Sequence, residues 1–169
     1  AAPTAAPTVV AAPTTAASPS APPAEAEPAP SPTVERNRDT AKQFIIDYFE
    51  AYEEGLRTGS PDPLAGLATE DCSKCAGLVD GLAGMNDDGS RRPDAVVTVV
   101  PFESRAFEDP NVMTWTSTYE SSLGDLFVGN EVVKVAGPRT STNVHVDILH
   151  NGETWQMDGM ATDGDLAKD

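Results

Sequence analysis

The stretch Thr40–Thr58, TAKQFIIDYFEAYEEGLRT, decides how the rest of this chain folds. Its apolar residues Ala41, Phe44, Ile45, Tyr48, Phe49, Tyr52 and Leu56 fall at offsets 0, 3, 4, 7, 8, 11 and 15. That spacing draws one broad, aromatic-rich face of an α-helix, which must be buried against something large. A capping box, Thr40-x-x-Gln43, marks the expected start. Arg57 in the last turn and Gly59 beyond it mark the stop.

Upstream, the composition changes. Ala1–Arg38 holds 12 Ala, 9 Pro, 5 Thr and 3 Ser, with no Gly and no aromatic. Such a segment cannot bury enough apolar surface to offset its chain entropy. Residues 1–38 therefore read as a disordered Pro/Ala/Thr spacer of polyproline II character, and 39–169 as a single folded domain. Fully stretched at ~3.1 Å per residue, the spacer would reach on the order of 100 Å. Its Thr and Ser beside Pro are possible O-glycosylation points, although a bare linker is the plainer reading.

The net charge is −16, and nearly all of it lies beyond the spacer. A field of that sign repels phosphate backbones and anionic lipids, which argues against nucleic acid as a partner. No apolar run approaches the ~20 residues of a membrane helix. The chain opens on Ala-Ala-Pro-Thr, and the low-complexity start favours an exported chain whose signal has been removed.

Downstream of the first helix, Asp62 and Pro63 suit the start of a short second helix, Leu64–Ala68. Thr69-Glu70-Asp71 would open a third. Its packed side carries Cys72, Cys75, Leu78, Val79, Leu82 and Met85, and Asn86-Asp87-Asp88-Gly89 would stop it. From Asp94 the period becomes extended. Ala95–Phe102 is β-branched, with Pro101 signalling an edge or bulge. Val112–Ser121 and Thr140–His150 alternate, and Asn151-Gly152 turns the chain into a hairpin partner over Glu153–Ala161. Leu126–Val135 fits a short strand and a helical turn equally. Helices followed by an antiparallel meander predict an α+β fold, with the first helix lying across a curved sheet.

Cys72-Ser73-Lys74-Cys75 admits three readings. A zinc site lacks further soft ligands, since there is no other Cys and His145 and His150 face opposite sides of a strand. A thioredoxin-like redox pair would follow a strand, whereas a helical segment precedes this one. The remaining reading is a structural disulfide: residues three apart on a helical turn have Cα atoms about 5 Å apart, within disulfide range. A bridge of that kind suits an oxidising compartment.

The run AKQFIIDYFEAYEEGLRTGSPDPLAGLATEDCSKC and the closing GETWQMDGM resemble an uncharacterised family of actinobacterial envelope lipoproteins. Members of that family carry a lipobox signal, a Pro/Ala/Thr spacer, and a domain with an aromatic first helix and an Asp-Cys-x-x-Cys turn. The layout resembles the nuclear transport factor 2-like (SnoaL-like) cone fold. The resemblance implies an extracytoplasmic domain at the outer face of the membrane, with the lipid-bearing Cys preceding Ala1. It assigns no catalytic or binding residue, and neither a cofactor nor a metal is expected.

Cone folds often hold a pocket between helix and sheet, and some use a buried Asp or His as a base. Here the candidate catalytic residues are Asp147 and His145, which share a strand face, and Asp158 on the hairpin partner. Tyr48 and Tyr52 could add hydroxyls. If Val144, Val146 and Ile148 face the helix, however, His145 and Asp147 point away from the core. Acidic pairs such as Asp87-Asp88 and Glu108-Asp109 are ordinarily solvated turns. The leading expectation is thus a non-catalytic envelope domain binding a protein, glycan or small apolar ligand. A cone-fold isomerase or cyclase and a thiol redox protein acting through Cys72 and Cys75 are the alternatives.

Overall fold

The computed structural model describes residues 33–106 and 111–166. The spacer as far as Pro32 and the Glu108-Asp109 pair lie outside the described residues. Helix α1 spans Arg38–Thr58, and its cap is not the expected one. Asn37 is the N-cap, its side chain accepting from the Asp39 and Thr40 backbone N–H groups, while the Thr40 hydroxyl accepts from the Asn37 N–H. Thr40 is therefore the third helical residue of a box closed one turn earlier, where Asn37 offers a short side-chain acceptor. The expected end holds: Gly59 caps with φ 71°.

One face of α1 carries Ala41, Ile45, Tyr48, Phe49 and Leu56, all buried. Gly55 is buried as well, because a Cβ there would stand 2.6 Å from Leu82 Cδ1 and 2.9 Å from the Ser60 carbonyl oxygen. Its bare Cα lets the second long helix, α2 (Ser73–Asp87), come close.

Between the helices the expected Leu64–Ala68 helix is only a single 3-10 turn, Asp62–Leu64. The chain then runs extended instead. The Met157 N–H donates to the Leu67 carbonyl at 2.9 Å, and the Thr69 N–H donates to the Met157 carbonyl at 2.8 Å. This short parallel pairing at Ala68 satisfies part of an exposed sheet edge, which outweighs the helix signal of Asp62-Pro63. It also delays α2 past Thr69-Glu70-Asp71. Cys72 caps that helix, its Sγ accepting from the Cys75 N–H.

Among the described residues seven strands follow: β1 (Ser90–Arg91), β2 (Val96–Ala106), β3 (Val112–Ser122), β4 (Leu126–Val128), β5 (Glu131–Lys134), β6 (Thr140–His150) and β7 (Trp155–Thr162). A short helix, α3 (Asp163–Leu166), ends the described chain. The main sheet has the order β2-β3-β6-β7 and a smaller one the order β1-β4-β5, with every named strand pair antiparallel. Leu126–Val135 thus proves to contain a hairpin, turned by Gly129 at φ 60°.

The edge strand β2 is guarded. The Val97 N–H donates to Glu53 Oε2 at 2.6 Å and Arg57 Nε donates to the carbonyl of Ala95, just before the strand, at 3.0 Å, so α1 occupies open hydrogen-bonding groups at the strand's start. Further along, Pro101 adjoins a register shift. On β7 a second shift lies opposite Asp147 and Ile148. Trp155 and Met157 point inward before it, and Met160 and Thr162, paired with Val146 and Val144, point inward after it. The core between α1 and the sheet holds Ile45, Tyr48, Trp115, Val146, Ile148, Trp155 and Met157.

Candidate functional site

Periodicity decides where the polar residues of β6 go. Val144, Val146 and Ile148 are 3%, 0% and 0% exposed against the helices, so His145 and Asp147 face the other side. Two adjoining hollows result, which share Lys74, Met160 and Ala161.

The first is a half-open apolar cavity of about 230 Å³ between α1, α2 and the sheet. Phe49 and Tyr52 of α1, Leu78 of α2, Tyr119, Val144 and Met160 give it walls of carbon. Phe49 and Tyr119 lie with ring centroids 5.5 Å apart. Tyr52 keeps its proton, its phenol pushed up to about 12 by burial and then by neighbouring Tyr119. At the rim stand Lys74 and Asp165, with Lys74 Nζ 3.3 Å from Asp165 Oδ1. Asp165 Oδ2 accepts from the Thr162 N–H at 3.0 Å and from its hydroxyl at 2.8 Å. Those bonds, the backbone one foremost, together with Lys74, hold its carboxyl down at about 2.

The second hollow is an open groove of about 520 Å³ past the β7 edge. Asp147, His145 and Asp158 all border it, so the structure brings three of the five candidate residues together. Each already has a partner. The Thr114 hydroxyl donates to Asp147, and the Thr69 hydroxyl donates to Asp158 Oδ1 at 2.7 Å. His145 lies between the Thr116 hydroxyl at 3.3 Å and Asp163 Oδ1 at 2.9 Å. That imidazole is the first cause holding the Asp163 carboxyl below the usual range.

The two tyrosines lie elsewhere. Tyr52 lines the apolar cavity, whereas Tyr48 is buried in the core beside it, its phenol pushed up to about 12 by burial. The five candidates therefore do not form one site. Cys72 and Cys75 are joined in a disulfide, with Cα atoms 5.3 Å apart, and are 2% and 1% exposed. The bridge is consistent with a compartment outside the cytoplasm. Among the described residues, no group of His, Cys, Asp and Glu is placed to hold a metal, and no helix is long and apolar enough to cross a membrane.

Sequence reasoning missed Lys74 and Asp165 as cavity residues. The one local signal was Thr162-Asp163-Gly164-Asp165, an acid three residues after a Thr, which resembles a helix-capping pattern.

No family model matches this chain, and no curated protein sequence matches it. Solved structures do. The intermembrane-space region of the chloroplast protein ARC6 is similar over 78% of this chain and 98% of its own, with 14% identity and a TM-score of 0.56. An uncharacterised protein with a cystatin-like fold from Caulobacter vibrioides is similar over 77% and 92%, at 14% identity and a TM-score of 0.49. A protein described as a scytalone dehydratase from Novosphingobium aromaticivorans is similar over 73% and 82%, at 13% identity and a TM-score of 0.44. The likeness to the ARC6 region is one of fold: an α+β domain with helices packed on a curved antiparallel sheet.

Proposed function

We propose that this chain is a non-catalytic, exported envelope domain that binds a small apolar ligand beneath α1. The observation that carries the reading is the cavity itself, whose walls are carbon while the carboxylates and imidazole suited to acid–base work border a different hollow. The buried Cys72–Cys75 bridge and the spacer composition support the envelope setting, with a lipid anchor upstream as the resemblance implies. Calorimetric titration of the full chain with octanol is expected to give saturable one-to-one binding. Leu78→Trp, which pushes an indole into the cavity from α2, is expected to weaken it at least about tenfold. No binding to the native chain, or binding indifferent to Leu78→Trp, contradicts the proposal.

The groove joining Asp147, His145 and Asp158 favours a second reading, a cone-fold isomerase or cyclase. Asp147→Asn and Asp158→Asn variants that fold normally and keep full turnover would dismiss it.

A further inference from the structure

We infer that the cavity selects a small lipophilic ammonium ion: an apolar body held among Phe49, Tyr52 and Tyr119, with its cationic head on the rim carboxylate of Asp165. This inference rests on the apolar-ligand reading above and names the ligand's charge.

Three observations converge. First, Phe49, Tyr52 and Tyr119 line the cavity with Leu78, Val144 and Met160, which gives the apolar body of the ligand walls of carbon next to the charged rim. Second, the two charged rim residues are not equally free. Asp165 is fixed by two donors from Thr162, whereas Lys74 has a side chain 56% exposed on a flexible four-carbon stem. Lys74 is thus an internal stand-in: its ammonium sits 3.3 Å from the carboxylate and can swing aside for another. An anionic ligand would instead have to displace the anchored partner. Third, the chain's net charge of −16 enriches cations around it and repels anions.

Size limits the body. An apolar cavity of about 150 Å³ accepts benzene, so one of about 230 Å³ suits a single bicyclic ring or a chain of roughly eight carbons.

The test is calorimetric titration of the full chain with octylammonium, octanol and octanoate, which share a tail and differ in charge. The expected order is octylammonium, octanol, octanoate, with the cation favoured about tenfold over the alcohol. Asp165→Asn should bring that ratio close to one. Lys74→Met should raise octylammonium affinity by a few-fold, because it removes the competing ammonium. Nonspecific attraction to an acidic surface would survive Asp165→Asn and would not respond to Lys74→Met in this way. Octanol binding as tightly as octylammonium, a ratio indifferent to Asp165→Asn, or weaker octylammonium binding in Lys74→Met overturns the inference and leaves the apolar site standing. Failure of all three probes to bind overturns both.

Discussion

Strand β6 presents two chemistries on opposite faces of one backbone. Val144, Val146 and Ile148 close against the helices, while His145 and Asp147 look outward into threonines of β3. The inner face builds a cavity from residues indistinguishable in type from core. The outer face gathers the residues that a search for catalytic chemistry picks first, yet each is already bound to a neighbour. Chemical type alone draws attention to the outer face, whereas the apolar pocket is lined by residues of core type.

That contrast is broken most severely from the inside. Trp155 is 1% exposed and its Nε1 donates to the Thr40 hydroxyl at 3.0 Å, tying β7 to the first turn of α1. Trp155→Ala is expected to cost about 3–5 kcal/mol through the cavity it leaves, measured by urea unfolding. A loss under ~1 kcal/mol would mean that the inner face is not the packed one.

The seam between the two hollows is the next largest effect. Cys72 borders the outer groove and Cys75 lies in the core. Opening so short a loop is expected to cost ~2 kcal/mol, seen as a lower urea midpoint after reduction. Alkylation of the native chain without reductant is expected to label neither sulfur. Ready labelling of both would remove the bridge and the support it gives to export.

Outer-face changes are expected to be small. Asp147→Asn keeps the size and an acceptor for the Thr114 hydroxyl, so it should shift stability by less than ~1 kcal/mol. A loss approaching that of Trp155→Ala would make the outer polar set as structural as the inner wall.

How far the sequence showed this depends on the range of each signal. The α1 face and the β6 alternation were legible because their periods repeat over many residues. The Asn37 cap was hidden because Thr40 offered an equally good local pattern one turn later. The inward Met160 and Thr162 were hidden for another reason: the irregularity opposite Asp147 flips the parity of β7, and strict alternation cannot show that. Lys74 and Asp165 meet only through the tertiary fold, so no spacing announces them.

The smallest expected effect concerns the rim. The Asp165 carboxyl stands at about 2 against an ordinary 3.8, so the unfolded chain binds its proton more readily in that interval. Its contribution is complete above 3.8 and is lost as pH falls toward about 2, freeing α3 from Thr162. Hydrogen exchange at the Thr162 amide should quicken across that window relative to neighbouring amides. Asp165→Asn should remove the step, and an identical profile in that variant would place its origin elsewhere.

The central claim, that the apolar pocket under α1 takes up apolar ligands, is tested most directly by methyl spectra recorded under xenon pressure, since xenon binds in apolar cavities. Saturable shifts at Leu78 and Val144, absent from Leu166 in the outer groove, are the predicted result. Methyl signals at Leu78 and Val144 that ignore xenon would contradict the account.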